Sequence, residues 1–304
     1  GEQCMNVENM RLFATIPMLV GAVIMVVTIK RYHGLVKYIV EETYEKQHNG
    51  HAADKAALVL LYLFFLGFLV GIADTLIRGV EPMYFFITII FLLGALFVHF
   101  SVRTQMAMAK RLREKTLETM KAFVNAIEMK DAYTKGHSEH VFSLVDLLYE
   151  SLDAQTRSNI NKSKLLDAAI LHDIGKISIK DEILNKKGKL DDSEWEVIKT
   201  HPQNGKKMLE DSCYREIGDW VLYHHERADG LGYYELEPNK IPIEAKLIAI
   251  ADTYSALCTD RVYRKGMPHE QATEIMREVA GTQLDSDLVA HFLSIDEALL
   301  SNIL

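Results

Sequence analysis

The sequence predicts an all-α protein in which three membrane-spanning helices and a connecting helix precede a helical domain. Three observations predict this fold class. Long apolar runs without a charged residue lie in the first hundred positions, a segment without glycine or proline follows, and apolar residues then recur at spacings of three and four. The net charge is −8 at pH 7 and the mean hydropathy is +0.00, so an apolar part is balanced by a charged part.

Each of the three apolar runs is long enough to cross a bilayer as a helix. They cover 12–29, 56–73 and 83–100, and about 20 apolar residues span the hydrocarbon core of a membrane. Buried core helices are the alternative, but such helices keep a polar stripe that these runs lack. A cleavable signal peptide is disfavoured because no basic segment precedes the first run. We therefore expect a transmembrane region over 1–100.

Basic residues in the loops predict the orientation of these spans. The segment 30–55 contains five lysines and arginines and the segment 103–115 contains five, whereas 78–82 contains only Arg78. Cytoplasmic loops are enriched in lysine and arginine. The C-terminal part is therefore expected on the cytoplasmic side.

The segment 101–130 predicts one continuous connecting helix, because it contains strong helix formers and neither glycine nor proline. Met106, Met120 and Ile127 recur at multiples of seven, although Arg113 interrupts the apolar set. This spacing indicates a signalling helix that forms a homodimer. The alternative is an amphipathic helix that packs on the domain that follows it.

The C-terminal part contains histidines and aspartates in motif-like places. A single histidine is usually a surface or core residue, and a His-Asp pair occurs by chance in many chains. Asp252 ends an apolar helical run, where a buried carboxylate is costly without a counter-charge. A metal ion would supply that charge. The residues that together predict a metal site are His137, His172, Asp173, His201, His224, His225 and Asp252.

Six ordered motifs in this part resemble those of the HD-GYP family, a branch of the HD metal-dependent phosphohydrolases. They read DAYTKGHSEHV, LLDAAILHDIGKI, THPQNG, HHERADGLGYY, IPIEAKLIAIAD and DRVYRKG, and the resemblance covers about residue 130 to the end. Family members are all-α and hydrolyse cyclic di-GMP in the bacterial cytoplasm, often behind N-terminal membrane segments. The resemblance therefore implies a phosphohydrolase domain of the HD-GYP type over 131–304.

The resemblance also implies a set of metal ligands. They are His137, His172, Asp173 and Asp252 for one metal and, with Asp173 as the bridge, His201, His224 and His225 for a second. Imidazole and carboxylate ligands suit Fe or Mn, with Zn, Ni and Co as alternatives. Tyr133 stands where some relatives have a glutamate that holds a third metal, so we expect two divalent ions.

Phosphodiester hydrolysis explains these residue types. Two metals bind the attacking and leaving oxygens, and a bridging water that loses a proton becomes the nucleophile. Asp173 and Lys176 are the expected catalytic residues, with Lys176 also binding a phosphate oxygen. The resemblance implies that Arg261 and Arg264 grip phosphate and that Tyr233 lines the guanine side of the pocket. The alternatives are an exposed lysine for Lys176, a solvated basic turn for Arg261 and Arg264, and packing alone for Tyr233.

The sequence departs from the family pattern at three notable positions. Tyr234 stands for the proline of GYP, Ser255 for an aspartate of ADxxDAL, and His140 for the arginine of GHSxRV. We expect the loss of proline to loosen the loop. We expect the loss of the aspartate to lower metal occupancy or activity.

The sequence thus predicts a metal-dependent phosphodiesterase of the bacterial inner (cytoplasmic) membrane, multi-pass, that hydrolyses cyclic di-GMP to pGpG or GMP. Two alternatives stay open. One is hydrolysis of another cyclic dinucleotide such as cGAMP, because the pocket walls that select the base are not readable. The other is a catalytically weak module that binds a nucleotide or a partner protein. The acidic charge balance argues against DNA or RNA as a partner.

Overall fold

The computed structural model describes residues 7–42, 50–78, 82–131, 136–259 and 265–303, and these are almost entirely helical. They contain no strand, and their one β-type pairing is an isolated bridge between Ala280 and Leu284. The all-α prediction is therefore confirmed. The chain divides into two compact units, Gly1–Glu114 and Lys115–Leu304. The domain boundaries predicted near 100 and 130 stay a prediction.

The described residues form α-helices joined by turns and short 3₁₀ segments. In chain order the α-helices are α1 Val7–Glu42, α2 Gly50–Arg78, α3 Pro82–Glu128, α4 His137–Ser151, α5 Ala154–Asn159, α6 Lys162–Leu171, α7 Asp181–Leu184, α8 Asp192–Ile198, α9 His201–Leu209, α10 Gly218–Leu222, α11 Ile243–Cys258, α12 His269–Val279, α13 Ser286–Leu293 and α14 Glu297–Ser301. The 3₁₀ segments are Ile174–Ser178, Arg215–Ile217 and Pro238–Lys240.

The helices of the first unit pack through small and aromatic residues and expose apolar side chains. Gly21 leaves room for the ring of Phe68, since a Cβ there would lie 2.2 Å from it. Phe68 in turn meets Phe91 edge-on, with ring centroids 5.5 Å apart. Outward-facing Val23 and Leu60 are 63% and 66% exposed. Such an apolar exterior suits lipid better than water.

Three helices are long and apolar enough to cross a membrane, within Thr15–Val40, Lys55–Ile77 and Phe86–Glu128. This agrees with the three predicted runs. The third range is longer than the predicted span because α3 continues without interruption to Glu128. At 47 residues, α3 is about 70 Å long. The predicted connecting segment is therefore helical as far as Glu128.

The C-terminal end of α3, from Lys115 to Glu128, belongs to the second unit and packs within it. Met120, Val124 and Ile127 are buried there, and the Tyr214 hydroxyl donates to the Met120 sulfur at 3.1 Å. Met120 and Ile127, two of the predicted heptad positions, therefore pack within this chain. This is what the alternative, an amphipathic helix that packs on the domain, predicts. A homodimer through this helix stays a prediction.

The core of the second unit is formed by α4, α6 and α11. Val141 and Leu144 of α4, Ala168 of α6 and Leu247 and Ile250 of α11 are almost fully buried. This packing brings the beginning of α4, the end of α6 and the middle of α11 to one place.

Candidate metal centre

Five chain segments bring metal-binding side chains together in the second unit. His137 is the first residue of α4, His172 directly follows α6, and His201 is the first residue of α9. The remaining ligand-type residues lie after α10 and within α11. Gly175 allows the turn after α6 to approach α9, because a Cβ there would lie only 1.9 Å from the His201 carbonyl oxygen.

All seven residues predicted as ligands fall into three overlapping groups. Within each group, the potential ligand atoms lie within 4.8 Å of one another. The groups are His201 with His224 and His225, His137 with His172 and Asp173, and His172 with His224 and Asp252. Because His172 and His224 each belong to two groups, the three groups form one continuous cluster.

Three histidines of the cluster present an unsatisfied nitrogen. Nδ1 of His172, His201 and His224 lies 2.7 to 2.8 Å from a backbone carbonyl oxygen, that of the residue three positions earlier. Each Nδ1–H therefore donates to that carbonyl, and the lone pair is left on Nε2. These buried Nε2 atoms have no hydrogen-bond partner among the described residues. Such an arrangement is what metal-ligating histidines show.

Asp173 lies between the histidines, with one oxygen turned to each side. Its Oδ2 is 3.4 Å from Nε2 of His172, and its Oδ1 is 3.2 Å from Nε2 of His201. Both contacts have ion-pair distances without the alignment of a hydrogen bond. A carboxylate in this position has the geometry of a bridging ligand. The set of imidazoles and carboxylates fits divalent Fe or Mn.

Lys176 is held at the same carboxylate. Its Nζ lies 2.7 Å from Oδ2 of Asp173 and 3.5 Å from Oδ2 of Asp131. Burial alone would lower the pKa of Lys176, but these carboxylates outweigh it and raise the pKa. The lysine therefore stays charged at neutral pH, as its predicted role requires. Asp131 was not predicted, because nothing in the sequence connects it to a residue 45 positions later.

The protonation states of the cluster follow from burial and neighbouring charge. Burial lowers the pKa of His225 to about 3 and that of His224 well below its usual value. For His172, burial is outweighed by the charge of Asp173, which raises the pKa to about 9. For Asp173, burial is outweighed by Lys176 and His172, and the pKa is well below its usual range. At His172, a proton and a metal would compete for the same nitrogen.

A cavity of about 600 Å³ opens onto the cluster, which is within the usual size range of small-molecule sites. Tyr233 lines it, with its ring 4.6 Å from that of His225. Trp195 lines it as well, 6.5 Å from the Tyr233 ring and 44% exposed. Trp195 was missed by the sequence reasoning. Its only signal was a lone aromatic residue in a charged segment six positions before His201.

The loop that carries Tyr233 is held by the carboxylate of Glu226. The backbone N–H groups of Tyr234 and Leu236 donate to its two oxygens at 2.8 and 2.7 Å. Gly232 passes so close that a Cβ would lie 2.6 Å from Cα of Glu226. A proline at 234 would have no N–H to donate. This hydrogen bond argues against the expectation that the absence of proline loosens the loop, which stays a prediction.

Ser255 and His140, two of the departures from the family pattern, contact each other. The Ser255 hydroxyl lies 2.9 Å from Nδ1 of His140 and 2.9 Å from Nδ1 of His137. Burial lowers the pKa of His140 to about 4, so it is neutral at pH 7. Arg261, Arg264 and Tyr133 lie outside the described residues.

The family model of the HD domain matches residues 121–288. A 3'3'-cGAMP-specific phosphodiesterase of Vibrio cholerae is 35% identical over 171 residues, which are 56% of this chain and 36% of that protein. A cyclic di-GMP phosphodiesterase of Pseudomonas aeruginosa is 39% identical over 167 residues, which are 53% of this chain and 39% of that protein. The chain thus spans less than half the length of these two relatives.

Among solved structures, an HDG"Y"P protein from Bdellovibrio bacteriovorus is 18% identical, with a TM-score of 0.40. The match covers 51% of this chain and 50% of that protein.

Proposed function

The chain belongs to the HD domain family, and we propose that it is a metal-dependent phosphodiesterase that hydrolyses cyclic di-GMP. The product is pGpG or GMP. The observation that carries this proposal is the position of Asp173 between His172 and His201, whose Nε2 atoms, like that of His224, have no hydrogen-bond partner among the described residues. Buried polar atoms are nearly always paired. Several unpaired atoms around one carboxylate are therefore best explained by cations.

The proposed ligands divide between two ions. His137, His172, Asp173 and Asp252 would hold the first, and Asp173, His201, His224 and His225 would hold the second. Fe or Mn is the expected metal, with Zn, Ni or Co as alternatives. Bound there, two divalent ions would lower the pKa of a water molecule and offset charge on a phosphodiester.

The protein's own residues supply substrate binding and orientation. Lys176, which is anchored on Asp173, lines the cavity, where its charge would offset that of a phosphate oxygen. Tyr233 and Trp195 offer aromatic faces on which a base stacks. Arg261 and Arg264 are proposed to grip phosphate by the motif resemblance alone.

The cyclic dinucleotide is proposed from the relatives. One relative is named a cyclic di-GMP phosphodiesterase and another a 3'3'-cGAMP-specific phosphodiesterase. Hydrolysis of cGAMP is therefore the second candidate, since the second name belongs to a protein 35% identical to this chain. Both substrates require the same metal centre, and they differ in one base.

The first unit is proposed to anchor this activity in the bacterial inner membrane. Three helices of sufficient length and apolar character support the anchor. The basic residues of 30–55 and 103–115 support a cytoplasmic catalytic unit. Cyclic dinucleotides are cytoplasmic messengers, so this orientation gives the catalytic unit access to its substrate.

The test uses the purified full chain in detergent, stripped with a chelator and reloaded with Mn²⁺ or, without oxygen, Fe²⁺. Turnover of cyclic di-GMP and cGAMP is measured by chromatography of pGpG, GMP and AMP. We expect turnover of cyclic di-GMP that chelation abolishes and metal restores. Preference for cGAMP would support the second candidate. Bound metal without turnover of either dinucleotide would contradict the enzyme and favour a nucleotide-binding signalling module.

A further inference from the structure

Two neighbouring helices face each other behind the metal centre with matched pairs of polar residues. His137 and His140 are one turn apart on α4, and Asp252 and Ser255 are one turn apart on α11. His137 Nε2 lies 3.0 Å from Oδ1 of Asp252. Ser255 Oγ lies 2.9 Å from Nδ1 of both histidines. Ser255 and His140 are buried, so these contacts are made inside the protein.

His137 differs from three other histidines of the centre in what its Nδ1 contacts. The other three face backbone carbonyl oxygens, which only accept hydrogen bonds. Those carbonyls keep a proton on Nδ1 and leave Nε2 free for a metal. His137 faces a hydroxyl instead, and a hydroxyl both donates and accepts. Its tautomer therefore depends on where the proton of that hydroxyl points, and on whether Nε2 donates to the Asp252 carboxylate or faces a metal.

The Ser255 hydroxyl has one proton for two imidazole neighbours. For His137 to offer Nε2 to a metal, its Nδ1 must carry the proton and donate to Ser255. The proton of Ser255 must then point to Nδ1 of His140, which accepts it. We propose that Ser255 and His140 are positioning residues of the metal centre, which hold His137 in the tautomer that presents Nε2 as a ligand. This inference rests on the metal centre of the proposed function.

The two residues are also the positions where the chain departs from the GHSxRV and ADxxDAL patterns. Because their side chains contact each other, the two departures fall at one contact. They put two neutral side chains where the family patterns have a basic and an acidic residue. In this chain, the two side chains form a hydrogen-bonded series that ends on His137.

A role in packing alone predicts a different behaviour. It would lower stability when Ser255 or His140 is changed, without a specific effect on metal ligation. The two roles separate at His140, whose Nε2 has no hydrogen-bond partner among the described residues. Asparagine at 140 keeps an acceptor oxygen near the position of Nδ1, and it removes the unpaired nitrogen together with a ring carbon. Leucine at 140 fills similar space without any acceptor.

The test compares Ser255→Ala, His140→Leu, His140→Asn and the double variant Ser255→Ala with His140→Leu, each in the full chain. The matched control is Ser143→Ala, since the Ser143 hydroxyl donates to the Glu139 carbonyl on α4. Mn²⁺ affinity is measured by titration calorimetry, and Mn²⁺ ligation by its electron paramagnetic resonance spectrum. Thermal unfolding with a chelator checks that each variant is folded.

We expect Ser255→Ala and His140→Leu to weaken Mn²⁺ binding about tenfold or more and to alter the resonance spectrum. The double variant should bind Mn²⁺ no more weakly than Ser255→Ala, because that change alone already breaks the series of hydrogen bonds. His140→Asn should stay within about threefold of the wild type, and Ser143→Ala should match it.

Unchanged affinity and spectrum in Ser255→Ala would overturn the proposal. Equal losses of Mn²⁺ affinity in His140→Asn and His140→Leu would overturn it too. So would a double variant whose loss of affinity is the sum of the losses in Ser255→Ala and His140→Leu. If Ser255→Ala does not fold, the His140 pair carries the test alone. A wild type that binds no Mn²⁺ would overturn the metal centre and this proposal together. A wild type that binds Mn²⁺ without hydrolysis would overturn only the proposed function.

Discussion

Buried threonines of the first unit and buried histidines of the metal centre differ in whether their polar atoms have hydrogen-bond partners. In α1 and α2, the hydroxyls of Thr28 and Thr75 donate to carbonyl oxygens one turn earlier, those of Ile24 and Gly71, at 2.7 and 2.8 Å. In the second unit, the buried Nε2 atoms at the metal centre have no partner within the described residues. These threonines are satisfied locally, whereas these nitrogens of the metal centre are left open.

The difference follows from what each region has to bind. Lipid offers no hydrogen bonds, so a polar group in a spanning helix has to be satisfied inside the protein. A metal site needs lone pairs that nothing else occupies. Burial of a polar residue therefore says little about function by itself. Burial without a partner, repeated around one carboxylate, is the informative observation.

The largest effect is expected from Asp173→Asn, which removes the charge that the two sets of histidines share. Metal affinity should fall at least about 100-fold, and turnover of cyclic di-GMP about 1,000-fold or more. Metal content by mass spectrometry and product chromatography check this. Asp219→Asn is the control, because the exposed ion pair of Asp219 with Lys206 contributes little. Full metal content in Asp173→Asn would contradict the assignment of the open nitrogens to metal.

A smaller effect is expected from Trp195→Ala at the rim of the cavity. Loss of base stacking should raise KM for the cyclic dinucleotide about tenfold, while kcat changes by less than about threefold because no metal contact is lost. Steady-state kinetics check both values. Trp195→Phe keeps an aromatic face and should recover most of the affinity. An unchanged KM in Trp195→Ala would remove Trp195 from the substrate site.

Tyr234→Pro should loosen the loop instead of restoring it. The change removes the N–H that donates to Glu226 and leaves one buried carboxylate oxygen short of a partner, at a cost of about 1–2 kcal/mol. Hydrogen exchange of residues 226–236 should therefore become about tenfold faster. Tyr234→Ala is the matched control, because it removes the ring and keeps the N–H. Equal exchange in the two variants would contradict the role of this hydrogen bond.

The ligand residues were predictable because motif letters and their order are visible in one sequence. The contact of Ser255 with His140 was not, since it joins residues 115 positions apart on two helices. Ser255 was read as a lost carboxylate because a single sequence shows a substitution without showing its partner.

The contacts that hold the Tyr234 loop were not predictable, for a different physical reason. The loop depends on backbone N–H groups that donate to Glu226. Every residue except proline carries such a group, so the pattern of side chains does not record it. Trp195 shows a further limit, because one aromatic residue among charges has no period that would assign it to a face.

The smallest effect is expected in the first unit, from Thr28→Val. The hydroxyl of Thr28 donates to Ile24 and accepts from Nδ1 of His99 at 2.9 Å. Polar contacts between membrane helices contribute about 0.6 kcal/mol on average. Thr28→Val should thus lower the thermal stability of the first unit only slightly, and Thr28→Ser should not. Metal content and turnover should be unchanged in both variants, because every proposed ligand lies between positions 137 and 252. Loss of metal in Thr28→Val would contradict this comparison. The hydrogen-bonded hydroxyls of the first unit and the unpaired nitrogens of the metal centre would then not be independent features.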